Sequence, residues 1–309
     1  MSRRRFSILV PVYFNEPNIR HTVPRLKALE QSLPDYDLEF VFVDDGSGDA
    51  SLELLLEERR KDPRVKVVKL SRNFGSMAAI QAGLHYVTGD CVGIIAADLQ
   101  DPPELFVDMV DLWEKGNKVV LAVRQDRKES LGQRMFAGIY YYLLDRLALR
   151  GYPRGGFDFL LVDRQIVDEL NAIREKNTNV MSLVFWLGHA RAIIPYTRGR
   201  REHGVSRWTL AKKIKLFVDS FVSFSFAPIR IMTVIGLITA GLSFAYGLFV
   251  IIALLTGHVP VRGYTTIVSL ITFLLGLIMI MLGIVGEYLW RILDESRNRP
   301  NYVVDEVYE

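Results

Sequence analysis

The chain has 309 residues, 50% of them hydrophobic and 24% charged, with 38 Lys and Arg against 35 Asp and Glu for a net charge of +3. In residues 231–286 the only Asp, Glu, Lys or Arg is Arg262, which excludes a purely water-soluble enzyme, while the charged front part excludes a simple membrane anchor. So small a net charge gives no argument for a nucleic-acid partner, and the single Cys91 excludes an internal disulfide framework.

The basic start MSRRR runs into a short apolar stretch that ends in the turn-like FNEPN, unlike a secretory signal; the front half is expected in the cytoplasm. Short apolar, β-branched runs then alternate with helical patterns. Strands are expected over 6–13, 38–45, 65–71, 91–97 and 118–124, with helices within 18–32 and over 51–61, 76–87 and 103–114. Runs that are apolar throughout belong to strands covered on both faces, so this βαβ series predicts a mostly parallel α/β sheet with right-handed crossovers. Cys91, in the run CVGIIAA, reads as a buried, inert thiol.

Such sheets bind ligands at the carboxyl ends of their strands. Four polar clusters fall there: YFNEPN, DDGSGD, SRNFGS and DLQDPPE. Asp44, Asp45 and Ser47 suit a base or ribose, or a cap on the following helix. Asp98 and Asp101 can reach one hard cation and leave positions for phosphate oxygens; the competing reading is an N-cap by Asp101 before a proline-initiated helix. Neither a Walker loop nor GxGxxG follows the first strand, which argues against an NTPase or a dinucleotide dehydrogenase. His85, His189 and His203 have no ligand spacing and read as structural or surface residues, and His21 and His258 carry no motif.

Residues 206–230 alternate Trp208, Leu210, Ile214, Phe217, Phe221 and Phe224 with Lys212, Lys213, Lys215 and Asp219, the pattern of a helix in a membrane interface or packed on the soluble domain. Residues 231–255 and 263–286 are each long enough to cross about 30 Å of hydrocarbon, joined by a turn with one Arg. The excess of Lys and Arg outside that turn predicts a multi-pass protein of the inner membrane with both termini and the soluble domain cytoplasmic. Glu287 is expected to pair with an arginine at the interface. Glycines in the spans, among them Gly236, Gly241 and Gly276, permit close helix packing and hence a homo-oligomer, without a count.

In this order, VPVYFNE, VDDGSGD, LSRNFG, DLQDPPE, GGFDFLLVDR, RGRREHGVSRW and GEYLWRILDESRNRP resemble the polyprenyl-phosphate glycosyltransferases, closest to the bactoprenol glucosyltransferases and related to dolichol-phosphate mannose synthase. The resemblance covers nearly the whole chain. It implies a GT-A catalytic domain over 1–205, interfacial helices over 206–230, a two-helix hairpin over 231–290 and a cytoplasmic tail over 291–309. It also implies inversion at the anomeric carbon, Mg2+ or Mn2+ as cofactor, a nucleotide sugar as donor and a polyprenyl phosphate as acceptor. Carried over by position, Pro11, Tyr13, Asn15, Glu16, Asp44, Asp45, Ser47 and Gln100 would hold the nucleotide, and Asp98 and Asp101 the metal. Arg124, Arg127, Arg200, Arg201, Ser206 and Arg207 would grip the diphosphate and the acceptor phosphate. Asp158 is the expected catalytic carboxylate, with Asp163 as its rival because Phe157 separates Asp158 from the glycine pair. The expected reaction moves glucose from UDP-glucose onto undecaprenyl phosphate, for surface-polymer modification. The alternatives are a UDP-linked amino sugar or GDP-mannose as donor, or an inactive membrane scaffold. A processive polysaccharide synthase is disfavoured, because QxxRW and further spans are missing.

Overall fold

The computed structural model describes residues 3–125, 131–176, 179–199, 210–256 and 263–309. It forms two units, Met1–Phe217 with Pro300–Glu309, and Val218–Arg299.

The first unit follows the alternation legible in the sequence. Strands β1 (Arg4–Val12), β2 (Tyr36–Asp44), β3 (Val65–Leu70), β4 (Cys91–Ile94) and β5 (Val119–Arg124) alternate with helices α1 (Glu16–Lys27), α2 (Ser51–Lys61), α3 (Ser76–Leu84) and α4 (Leu105–Glu114). After α5 (Leu131–Leu147) come β6 (Phe159–Asp163), α6 (Arg164–Ala172), α7 (Val180–Trp186) and β7 (Arg191–Tyr196), and the chain ends in β8 (Val304–Tyr308). The sheet order is β7-β5-β6-β4-β1-β2-β3-β8. β4, β1, β2 and β3 run parallel, as do β5 and β7, whereas β6 is antiparallel to both its neighbours and β8 to β3. The sheet is thus mostly parallel, as expected, with two reversed strands that the sequence pattern did not announce. One of them, β8, comes from the stretch read as a tail.

Residues 8–10 and 40–43 are buried without a break, so consecutive side chains on both faces leave water. Phe106 of α4 stands edge-on to Phe6 of β1 (centroids 5.2 Å apart) and to Phe159 of β6 (4.8 Å). A Cβ at Gly93 of β4 would come within 2.2 Å of the Phe106 ring, so glycine there makes room for it. Phe106→Ala is expected to cost about 3–5 kcal/mol, read as a lower chemical-denaturation midpoint of the full chain in detergent.

After β1 the chain lays β2 and β3 on one side and then β4 on the other, so the strand order switches between β1 and β4. A crevice opens at the carboxyl ends of strands at such a point. Two ties bridge it: the Thr22 hydroxyl donates to the Ala97 carbonyl (2.9 Å), and Arg25 holds Glu104 through two 2.8 Å hydrogen bonds.

α8 (Leu210–Phe224) begins in the first unit and ends in the second, which continues with α9 (Ala227–Leu255) and α10 (Tyr264–Ser296). Of the apolar side chains read as facing lipid on α8, Ile214 and Phe217 are exposed, Phe224 is half-buried and Phe221 is buried; Trp208 lies outside the described residues. Ala227–Phe249 and Phe273–Ser296 are long and apolar enough to cross a membrane, with mean hydropathies of 1.8 and 2.0, and almost none of their residues is fully buried inside the protein. Glu287 pairs with Arg291 (3.0 Å), and the same guanidinium reaches Asp219 of α8 (2.6 Å), so one arginine is shared by two carboxylates at this end of α10.

Candidate functional site

The first two strand-end clusters are stitched together. Beyond β1, the Phe14 N–H donates to Ser47 Oγ (3.0 Å), the Asn15 N–H to Ser51 Oγ (2.9 Å) and the Glu16 N–H to Asp49 (3.3 Å), while Glu16 accepts from the Ala50 N–H (3.3 Å). Asn15 also accepts from the Tyr13 N–H (3.1 Å). Pro11 lies in register with Val43, one residue before Asp44. The buried Asp44 accepts from the Ser47 N–H on one oxygen (3.2 Å), and its other oxygen, Oδ1, is buried with no hydrogen bond among the described residues.

Asp45 ties in the third cluster. Its carboxylate accepts from the Phe74 N–H (2.7 Å), the Gly75 N–H (2.9 Å) and the Asn73 side-chain amide (2.9 Å). Burial pushes the Asp44 and Asp45 carboxyls upward; the Ser47 donors oppose this at Asp44, and the Phe74 and Gly75 amides at Asp45. Gly46, at φ +69°, fits this crowding because a Cβ would lie 2.6 Å from the Arg72 carbonyl carbon.

The fourth cluster turns sharply after β4. Asp98 accepts from the Gln100 N–H (3.3 Å) across Leu99, which has φ +52°. Among the described residues three non-glycine residues have positive φ, and two of them, Phe14 and Leu99, sit in these strand-end loops. Backbone held in so sparsely populated a region costs about 1–3 kcal/mol and collects at functional sites. Gln100 is fastened to the segment that follows β7 through Gly199, whose N–H donates to the Gln100 carbonyl (2.8 Å) and whose carbonyl accepts from the Gln100 side chain (3.3 Å).

Asp101 is the centre of a charged cluster. It is 1% exposed, its Oδ1 accepts from the Tyr196 hydroxyl, and Arg198 Nε lies 3.2 Å from the same oxygen. Its Oδ2 is buried with no hydrogen bond among the described residues. Burial raises the Asp101 carboxyl above its ordinary range against the pull of Arg198 and Tyr196. Arg124, at the end of β5, hydrogen-bonds Asp158 and also the Tyr196 hydroxyl (3.4 Å). Asp158 precedes β6, which runs antiparallel, so it stands at the same end of the sheet as the carboxyl ends of β4 and β5.

The structure therefore brings Asp98, Gln100, Asp101, Arg124 and Asp158 to one end of the sheet, next to Pro11, Tyr13, Asn15, Glu16, Asp44, Asp45 and Ser47. Arg127, Arg200, Arg201, Ser206 and Arg207 lie outside the described residues. Asp163 is at the opposite end: it pairs with Cys91 at the start of β4, caps α6 through the Gln165 N–H (3.0 Å) and accepts from the Trp113 indole (2.8 Å). Asp101 does not cap α4, which has Glu104 at its N-cap. Cys91 is fully buried, and burial pushes its thiol up. Two residues went unremarked as site candidates, Tyr196 and Arg198. Both follow the short apolar run AIIP, and β7 runs parallel to β5, which puts them at the same carboxyl edge. Among the described residues no three His, Cys, Asp or Glu side chains converge on one metal position.

Residues 7–170 match the family described as "Glycosyl transferase family 2". The uncharacterized glycosyltransferase YkcC of Bacillus subtilis (strain 168) is 38% identical over 100% of this chain and 96% of its own. The bactoprenol glucosyl transferase of Shigella phage SfV is 34% identical over 97% of this chain and 98% of its own. Among solved structures, the mannosyltransferase of Pyrobaculum calidifontis in complex with GDP-mannose and Mn2+ superposes with a TM-score of 0.51 at 18% identity, over 72% of this chain and 64% of that one, a likeness of fold. The matched segment carries most of β1, all of β2 through β6 and the four polar strand-end loops after β1 to β4, and the chain is a glycosyltransferase that belongs to glycosyl transferase family 2, with a GT-A catalytic fold.

Proposed function

We propose that the protein transfers glucose from UDP-glucose to undecaprenyl phosphate at the cytoplasmic face of a membrane, with inversion at the anomeric carbon. The observation that carries this reading is the cluster of Asp101, Tyr196, Arg198, Arg124 and Asp158 beside the Asp98–Asp101 turn. Such a cluster offers carboxylate oxygens to a cation and guanidinium groups to phosphates. The likeness to bactoprenol glucosyl transferases over nearly the full chain supports the lipid acceptor and the sugar.

In this reading Asp44, Asp45 and the Tyr13–Glu16 loop hold the base and ribose, and Asp98 and Asp101 face the diphosphate. The buried Asp101 Oδ2, without a hydrogen bond among the described residues, fits a cation, since a buried acceptor left without a donor costs free energy until a ligand meets it. Mg2+ or Mn2+ held by Asp98 and Asp101 would neutralise charge on the departing diphosphate. An acceptor phosphate oxygen attacks C1 of the hexose as the bond from C1 to the diphosphate oxygen breaks, and the bonding pair leaves with the nucleoside diphosphate. No general base is required, because a phosphate monoester with a second pKa of about 6 is already largely ionised. Asp158, held by Arg124, orients the reacting groups, and Arg124, Arg198 and the arginines of residues 200–207 bind the two phosphate groups.

The membrane arrangement is part of the proposal. The chain leaves the sheet before α9 and rejoins it as β8, so a crossing made by α9 is reversed by α10. Together with the positive charge around residues 198–230 and 291–299, this favours a hairpin whose two ends lie in the cytoplasm. Incubating the full chain with UDP-glucose, UDP-linked amino sugars or GDP-mannose, Mn2+ and undecaprenyl phosphate tests the donor. UDP release from UDP-glucose that depends on the lipid is expected; lipid-dependent release from another donor alone would reassign the sugar.

A further inference from the structure

Without β8, the strand β3 would be an open edge with unpaired N–H and C=O groups. Pro300–Glu309 closes it. β8 pairs with β3 from Val67 with Tyr308 to Leu70 with Val304, and Lys69 Nζ lies 2.6 Å from Asp305. One residue further on, the Ser71 N–H donates to the Val303 carbonyl (3.0 Å). Ser71 opens the turn whose Asn73, Phe74 and Gly75 donors hold the Asp45 carboxylate. The same segment also grips the helix that leaves this turn. Asn301 donates to Gln81 of α3 (3.2 Å) and to the Glu175 carbonyl (3.3 Å), and the Tyr302 hydroxyl lies 3.1 Å from Nδ1 of His85, the residue that ends α3. The turn is therefore held on its site side by Asp45 and on its far side, at both strand and helix, by the end of the chain.

We infer that Pro300–Glu309 is a positioning element for the nucleotide-binding turn. It fixes where the Asn73–Gly75 backbone stands against Asp45, and so how tightly the donor is held; it touches no substrate itself. Arg297–Arg299 join this segment to α10, so one stretch of chain links the second span to the donor turn. The inference rests on the transferase reading above.

Three variants of the full protein test it: a chain ending at Arg299, Asp305→Lys, and Asp305→Lys combined with Lys69→Asp, which restores the cross-strand charge pair in reverse. Truncation is expected to raise the KM for the nucleotide sugar about fivefold or more, the worth of one main-chain hydrogen bond, with the acceptor KM unchanged. Asp305→Lys is expected to give a smaller rise that the double variant reverses. Amide exchange over residues 71–76 should quicken in step while β1 stays protected. Unchanged exchange over 71–76, or a loss confined to kcat or to the amount of folded protein, would overturn the inference. If truncation also exposes β1, the lesion is one of folding and the charge-pair variants decide. A wild-type chain that turns over no nucleotide sugar would overturn the transferase reading instead, and the exchange data still decide whether the segment holds the turn.

Discussion

Asp101→Ala is expected to lower sugar transfer by about 100-fold or more while the chain stays folded. Asp101 is buried, and its charge is shared between Tyr196 and Arg198 on one oxygen and nothing described on the other. Under the proposed transfer, removing the carboxylate takes away an acceptor for the cation, and it also releases Arg198 from its ion pair. Asp101→Asn separates the two effects. It keeps the volume and one carbonyl oxygen but not the charge, so a metal role predicts a loss nearly as large, with the transfer that remains needing more Mn2+. A near-normal rate in Asp101→Asn, with unchanged metal dependence, would reduce Asp101 to a hydrogen-bonding prop for Tyr196.

The second large effect separates two carboxylates five residues apart. Asp158→Asn is expected to reduce kcat by about 100-fold, because Asp158 is bound to Arg124 beside the Asp101 cluster and is exposed enough to meet substrate. Asp163→Ala should leave kcat intact and cost about 1–2 kcal/mol of stability, since it loses the α6 cap and leaves the Trp113 indole unpartnered. Kinetics and denaturation of the two variants give opposite signatures, and a fall in kcat confined to Asp163→Ala would reverse the assignment.

The same pair shows where sequence reasoning stops. β1 to β5 are legible because strands covered on both faces read as unbroken β-branched runs, and each ends in a visible polar cluster. The first four residues of β6, FLLV, are equally apolar, but their pattern does not reveal that the strand runs backwards between β4 and β5. Direction decides everything here: it sets Asp158 at the site and Asp163 about 16 Å away at the far edge, five residues at about 3.3 Å each. β7, half-exposed at the sheet edge, and β8, whose VDEVY interleaves acids with apolar residues, carry weak strand signals. Tyr196 and Arg198 went unremarked for that reason, and residues 304–308 read as a tail although they complete the sheet.

The measurement that tests the central claim most directly is transfer of radiolabelled glucose from UDP-glucose into an organic-extractable lipid. It uses the full-length protein in detergent with Mn2+, with and without undecaprenyl phosphate, alongside Asp101→Ala. The account predicts a labelled lipid that forms only with undecaprenyl phosphate and is lost in the variant. Label that stays in the aqueous phase in every arm, with the protein folded, would contradict it.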